Sequence, residues 1–429
     1  MNFLWLYGLV LALAAAVYLG RKHARQRRHV AALTDAQAAG LAEPVSLHPV
    51  VDPLRCIGSG SCAQACPEQA LGVVAGKAVL VNGAACIGHG ACLAACPVDA
   101  IRLVFGTERR GVDIPQVSPQ FETNIPGLFI AGELGGMGLI RKAAEQGRQA
   151  MDAIRRRPRG AHDLDVVIVG CGPAGLSAGL SALEHRLAFR LIEQEESLGG
   201  AVYHYPRQKI AMTAPVKLAL VGQVRFGEVA KEQLLAFWDG IVRKTGLPIQ
   251  FHEQMVGVAP AGDGFVVHTS RGSYRTRSVL LALGRRGTPR KLGVPGEALA
   301  KVVYRLVDPE QYRGQAVLVV GGGDSAIEAA VALAGQPGTR VDLSYRSQAF
   351  ARVKPRNRAE LDRLRDDGRI TVRLGSQVLG IDERSVQVNG PDGQTEVPND
   401  AVIVCAGGEL PTPLLQAMGI SFETKFGTA

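Results

Sequence analysis

The chain has 429 residues, is 47% hydrophobic and 5% aromatic, and carries 48 Lys and Arg against 39 Asp and Glu, a formal charge of +9. That composition is long and apolar enough for two or three hydrophobic cores and argues against a disordered polymer. Much of the excess charge is one basic run, Arg21, Lys22, Arg25, Arg27 and Arg28, with no acid before residue 30, so the remainder is nearly balanced and no nucleic-acid partner is expected.

At the start, Phe3 to Leu19 (FLWLYGLVLALAAAVYL) is a run of 17 residues without a charge, at the short end of what crosses a hydrocarbon core as a helix. The basic residues follow the run, and no small-residue cleavage site does, so residues 1–28 read as a single-pass transmembrane anchor with a basic flank rather than a signal peptide. The expected location is the cell inner membrane, with the catalytic part cytoplasmic and Trp5, Tyr7 and Tyr18 near the interfaces. Residues 29–50, rich in Ala and ending on Pro44 and Pro49, read as a linker.

Six of the eight cysteines fall between Cys56 and Cys96 as two copies of C-x5-C-x3-C-P. Residues 56–71 align without gaps on residues 86–101, at a spacing of 30 and with nine of sixteen positions identical, which marks an internal duplication. Gly58, Gly60, Gly88 and Gly90 suit loops that turn tightly and aim backbone N–H groups at an anionic guest. Structural zinc is the alternative to an iron–sulfur reading, but the C-x2-C knuckles usual for zinc are absent. Cys171 and Cys405 stand alone, and the pattern is not that of a secreted disulfide scaffold.

From about Gly111 the pattern becomes β-branched runs, Gly-rich turns and Ala-rich helical stretches, an α/β fold with a parallel sheet. In the first strand–turn–helix unit, a strand over Val166–Val169 leads into Gly170, Gly172 and Gly175, then a helix, then a second strand ending at Glu193. The glycines allow a close turn and backbone approach to a pyrophosphate, the helix start favours its charge, and Glu193 is placed to accept from a ribose hydroxyl. Pro173 and Ala174 complete the turn. Ile249 to Leu283 alternates as an antiparallel meander that returns to a central strand. The second unit repeats the turn as Gly321, Gly323, Asp324, Ser325 and Ala326. Its next strand, Arg340–Ser344, ends without an acid and is followed by Arg346, Arg352, Lys354 and Arg356, which favours NADPH over NADH, with Arg346 the best candidate for a 2′-phosphate.

Over residues 52–104 the cysteine repeat resembles the two-cluster bacterial ferredoxins, whose run is C-x2-C-x2-C-x3-C-P, with one ligand position replaced by Ser59 in the first copy and His89 in the second. The resemblance implies crossed ligation: Cys56, Cys62 and Cys96 on one cluster, Cys86, Cys92 and Cys66 on the other. Three thiolates apiece leave 4Fe–4S and 3Fe–4S open, and leave Ser59, His89 or solvent as the fourth ligand. Over residues 110–429 the chain resembles the thioredoxin reductase-like flavoproteins, including the ferredoxin–NADP reductases of that type. The resemblance rests on both Gly-rich turns, Leu198-Gly199-Gly200, Leu281 to Gly284 and Ile403 to Gly408. It implies FAD in the first unit and the nicotinamide cofactor in the second. The family's closing segment is expected at the C-terminus but resembles residues 112–155 instead, with Gly132-Glu133 where the family has Gly-Asp against the flavin's ribityl chain. The reductase thus reads as circularly permuted, its C-terminus falling near the start of that segment.

The expected fold is α/β: two Rossmann-like dinucleotide-binding domains, a small ferredoxin-like iron–sulfur domain and an N-terminal transmembrane helix. The expected boundaries are 1–28 anchor, 29–50 linker, 51–104 iron–sulfur domain, 111–158 closing segment, 163–290 FAD domain, 291–412 NAD(P) domain and 413–429 C-terminal segment. The function implied is an FAD-dependent NAD(P)H oxidoreductase that moves electrons between NADPH, FAD and two iron–sulfur clusters. Alternatives are a low-molecular-weight disulfide reductase-like flavoenzyme and a membrane-bound redox sensor. The expected partners are an electron-accepting or donating protein or a quinone, and the membrane, with a homodimer left open. No catalytic side chain is assigned.

Overall fold

The computed structural model describes the chain except residues 1–3, 39–41, 45–46, 87, 89, 109–110, 136–138, 159–161, 206, 208, 214, 285–287, 351–352, 354, 410 and 428–429. It divides into two compact units, Met1–Val112 with Ala349–Ala359 and Lys425–Ala429, and Asp113–Gln348 with Glu360–Thr424.

In the first unit, helix α1 (Leu4–Ala38) continues unbroken from its apolar start through the basic run and the Ala-rich stretch. The expected anchor and inner-membrane location are therefore overturned: among the described residues no helix is long and apolar enough to cross a membrane. The reason is length. Seventeen uncharged residues span about 25 Å at 1.5 Å each, short of a hydrocarbon core of about 30 Å, and the same helix then places Arg21 and Lys22 in its next turn. Residues 29–38 of the expected linker are helical, with Ala31, Ala32, Leu33, Ala36, Gln37 and Ala38 favouring the helix and Ala36 buried. His29 Nδ1 accepts from the Val73 N–H at 2.9 Å, docking α1 on the cysteine module.

That module is two β-pairs and two short helices. Strand β1 (His48–Val51) precedes α2 (Ser61–Ala65), the hairpin β2 (Leu71–Val74) and β3 (Lys77–Leu80), α3 (Ala91–Ala94) and β4 (Ile101–Val104). β1 pairs antiparallel with β4, and β2 with β3, so the two repeats interlock rather than follow one another.

In the second unit, β5 (Val112–Pro115) and the strand Phe422–Lys425 form a two-stranded sheet. Asn124 bonds both the Gly419 carbonyl and the Ser421 N–H, at 2.9 and 2.8 Å, so the last turn of the chain lies on the segment after β5. Next come β6 (Leu128–Ile130), α4 (Ile140–Ile154), β7 (Leu164–Val169), α5 (Pro173–Glu184), β8 (Phe189–Ile192) and α6 (Lys231–Thr245). The meander Met255–Ala261, Gly264–Thr269 and Gly272–Leu281 is antiparallel, and its last strand runs parallel to β7 on one side and to β6 on the other. β6 (Leu-Phe-Ile), the last four residues of β7 (Val-Val-Ile-Val) and the end of Gly272–Leu281 (Val-Leu-Leu) are buried on both faces, which explains their runs of large apolar residues. Burying each such side chain fully is worth about 1.5–3 kcal/mol. α4 lies against α5 so closely that a Cβ on Gly147 would overlap the Ala174 carbonyl, so glycine is required there.

A second parallel sheet has the order Val302–Val303, Ala401–Val404, Ala316–Val320, Arg340–Tyr345, Ile370–Leu374, with α7 (Asp324–Ala334) after its central strand. The expected strand at 340–344 is there, one residue longer.

Candidate functional sites

The cysteine module folds into a divided cage. Gly60 and Gly90 cap α2 and α3 in the left-handed region, at φ 78° and 79°, a conformation in which a side chain would be strained. Cys66, Cys86 and Cys92 line one cavity together with Glu68 and Leu71. Cys56 and Cys96 each accept a backbone N–H on sulfur, from Ala78 at 3.3 Å and from Ala100 at 3.2 Å.

Burial pushes the Cys62 thiol up, and Cys56 and Cys96 add to it as like neighbours. For Cys86, burial again leads, with Cys66 and Glu68 adding. Cys92 is pushed up to about 11 by burial, with Cys86, Cys66 and Cys62 contributing less. A metal guest must therefore displace protons from these thiols on entry.

Among the described residues no three His, Cys, Asp or Glu side chains gather tightly enough to hold a single metal ion. A zinc site would bring its sulfurs to about 2.3 Å from one centre. Cysteines ringing a cavity suit a multi-atom cluster instead. Ser59 is exposed and its hydroxyl accepts from that of Ser61 at 3.3 Å, while His89 lies outside the described residues.

The first dinucleotide site draws on separated stretches of sequence. β7 ends at Gly170, with φ 99°, and Gly172 caps α5, with Pro173 in its first turn. A Cβ on Gly175 would overlap the Gly170 carbonyl oxygen, so that glycine seats the helix on the strand, whereas a Cβ on Gly172 would meet nothing nearer than the Gly200 Cα at 3.8 Å. Ala174 is buried beneath α4. Gly199, with φ 111°, donates its N–H to the Cys171 carbonyl at 2.9 Å and brings Gly200 against Gly172.

Glu193, at the end of β8, is buried, and its carboxylate accepts the Cys171 N–H at 2.7 Å and the Glu195 N–H at 3.1 Å. Burial raises this carboxyl above the usual carboxylate range, and the two N–H bonds offset that only in part. In this structure it shapes the glycine turn, a role not anticipated beside the ribose contact. From the other direction, Gly132, with φ 91°, donates to Gln146 Oε1 at 2.9 Å and lies against Ala174. Glu133 follows in a turn of 3-10 helix, part-buried.

In the second dinucleotide site, Gly321, with φ 149°, packs on the Cys405 carbonyl, and the Tyr345 ring fills the space where Gly322 would carry a side chain. Gly323 caps α7, Asp324 opens it, Ser325 is exposed and Ala326 is fully buried. Arg346 is exposed just past the strand Arg340–Tyr345, and Arg356 is exposed in the helix Pro355–Asp366. Arg352 and Lys354 fall outside the described residues. Lys209 and Arg207, from the loop before α6, pair with Glu328 on α7 and with Asp308, at 2.8 and 3.6 Å.

Sequence reasoning missed Gln146, Tyr345, Glu68 and Lys77. Only the last two carried a signal there: each is a charge present in one copy of the repeat and absent from the other, where Val98 and Thr107 stand.

The family described as pyridine nucleotide-disulphide oxidoreductase matches residues 167–427, and that described as a 4Fe-4S dicluster domain matches residues 48–97. Among curated relatives, the bacilliredoxin reductase Bdr of Bacillus subtilis (strain 168) is 27% identical over 268 residues, 61% of this chain and 82% of its own. The ferredoxin–NADP reductase of Ignicoccus hospitalis is 28% identical over 269 residues, 61% and 83% of the two chains. That of Thermus thermophilus is 31% identical over 255 residues, 57% and 72%. Among solved structures, the bacillithiol disulfide reductase Bdr from Staphylococcus aureus superposes with a TM-score of 0.52 at 25% identity, covering 60% of this chain and 80% of that one.

Proposed function

We infer the function from one premise: the chain belongs to the pyridine nucleotide-disulphide oxidoreductase family, whose pattern matches more than half of it. It is an FAD-dependent NAD(P)H oxidoreductase, similar to ferredoxin–NADP reductases and to bacilliredoxin reductase, joined to a dicluster domain that implies two iron–sulfur clusters. Within that class we propose electron transfer between NADPH and a one-electron partner by way of FAD and both clusters. When bound, the flavin supplies the exchange between a two-electron hydride carrier and one-electron carriers, and the clusters supply one-electron storage.

The observation that carries the proposal is the grouping of the cysteines, Cys66, Cys86 and Cys92 around one cavity and Cys56 and Cys96 as neighbours of Cys62, in the same chain as two glycine-turn sites. Cys66, Cys86 and Cys92 would hold one cluster, and Cys56, Cys62 and Cys96 the other. Gly170 to Gly175 and the N-terminus of α5 would take the FAD pyrophosphate, with Glu193 holding the turn and Gly132-Glu133 approaching from the turn after β6. Gly321 to Ala326 would take the nicotinamide dinucleotide, with Arg346 on a 2′-phosphate.

Circular permutation is part of this reading. Its support is that the family match begins at residue 167, while β6 and α4, both earlier in the chain, supply a strand of the first sheet and the helix against α5.

A second reading, reduction of a small disulfide, is favoured by the likeness to the bacilliredoxin and bacillithiol disulfide reductases. Against it, the chain contains no C-x2-C pair. Cys171 is fully buried and burial holds its thiol far above the usual range, so it is a poor nucleophile.

Anaerobic visible and low-temperature electron paramagnetic resonance spectra before and after NADPH test the two readings. Flavin bleaching followed by a cluster signal is expected. Flavin reduction with silent clusters, together with turnover of a small disulfide, would move the assignment to the second reading.

A further inference from the structure

We infer that the two clusters are electrostatically unequal: Glu68 makes the one held by Cys66, Cys86 and Cys92 the harder to reduce, and Lys77 makes the one held by Cys56, Cys62 and Cys96 the electron sink. The inference rests on the ligand sets proposed above. The duplication supplies an internal control, because each position in one copy has a counterpart 30 residues away.

Glu68 is part-buried and lines the cavity shared by Cys66, Cys86 and Cys92, whereas its counterpart beside the other set is Val98. Lys77 donates from Nζ to the Cys56 carbonyl at 2.7 Å, and its counterpart is Thr107. The next residue, Ala78, donates its N–H to Cys56 Sγ, so the hairpin turn holding Lys77 is tied to that ligand.

Three other charges stand near the Cys56 set and leave one negative charge over, which Lys77 balances. Asp52 and Asp99 are exposed there, and so is Arg55, whose guanidinium donates to the Asp99 carbonyl at 3.3 Å. Arg102 alternates with Ile101 and Leu103 along β4 and so points away from the cavity that Leu103 lines. With Lys77 counted, the Cys56 set has two positive and two negative neighbours, whereas Glu68 is the one charged side chain among the described residues that line the Cys66 cavity. A nearby negative charge opposes an added electron and a positive one favours it, most strongly where water is excluded.

The test is an anaerobic redox titration of the full holoprotein at one fixed pH, followed by electron paramagnetic resonance. Two reduction steps are expected. Glu68→Gln should raise the lower step and leave the upper in place, and Lys77→Met should lower the upper and leave the lower. Glu68→Asp and Lys77→Arg keep the charges and should restore the wild-type separation, which a merely structural role would not do. Cys92→Ala should remove the lower step. A single unresolved step in the wild type, or a Glu68→Gln titration that moves neither step or moves the upper one, overturns the inference. Iron and sulfide analysis keeps the premise separate: a protein without two clusters' worth of iron sinks the ligand assignment itself and this inference with it.

Discussion

Replacing Gly172 by valine separates the fold of the first dinucleotide site from its ligand. Gly172 has φ −75° and ψ −172°, extended backbone open to any residue, and a Cβ there finds its nearest heavy atom, the Gly200 Cα, at 3.8 Å. The substitution should therefore change folding stability by no more than about 0.5 kcal/mol. The valine methyls would instead stand in front of the α5 N-terminus, where the pyrophosphate is placed in the proposal. Displacing the phosphate from two backbone N–H groups forfeits two charge-assisted hydrogen bonds at about 1.5–3 kcal/mol each, or roughly 10²- to 10⁴-fold in FAD affinity.

The assay is the flavin-to-protein ratio on purification, with FAD titrated into the stripped protein, alongside a thermal melt and iron content. Iron and the melt of the flavin-free form should match wild type. A stoichiometric, wild-type-affinity flavin in Gly172→Val would refute the placement of the pyrophosphate, and a collapsed fold would refute the steric argument. Gly175→Ala is the opposite case, because its Cβ would overlap the Gly170 carbonyl, and it should lower stability by about 2–3 kcal/mol or more in urea unfolding.

Gly323→Val should retain FAD but no longer allow NADPH to bleach it, since Gly323 at φ −100° has open space around its Cβ position; stopped-flow flavin reduction reads this out. Arg346→Ser should raise KM for NADPH by about 10- to 100-fold and leave NADH nearly unchanged, the loss expected for a charge-assisted bond to a 2′-phosphate; equal effects on both cofactors would remove Arg346 from that role. Cys66→Ala and Cys92→Ala should abolish the same cluster signal although they lie in different repeats, and loss of different signals would contradict the crossed ligand sets. Arg277→Met should destabilise the protein by about 3 kcal/mol in urea unfolding, because the buried guanidinium bonds Asp165 and the carbonyls of Arg157 and Pro158, and its loss leaves Asp165 without this charge partner.

Much of the architecture is written locally. A β-branched run, a Gly-x-Gly-x-x-Gly or Ala turn and an Ala-rich helix occupy some twenty consecutive residues, and neighbouring residues set the backbone geometry of such a unit. The cysteine repeat is equally local, so its candidate ligands can be named before any fold is known. The reach of α1 is obscured for a related reason: its 17 uncharged residues, weighed by themselves, suggest an anchor, whereas the helix runs on through the basic run to Ala38.

Only the tertiary structure decided what meets what. Gly147 and Ala174 are far apart in the chain, and their contact, which lays α4 on α5 and brings Gly132 to the glycine turn, depends on two helices approaching to backbone distance. The motif places Glu193 toward a ribose, and only the fold shows that its carboxylate also takes the N–H groups of Cys171 and Glu195. Glu68 and Lys77 each lack a charged counterpart in the other copy, but which cysteines they stand beside is decided only when the repeats fold together. A short motif specifies backbone shape, but the field and the packing at a site are sums over residues that only folding brings close, and those sums cannot be read along the chain.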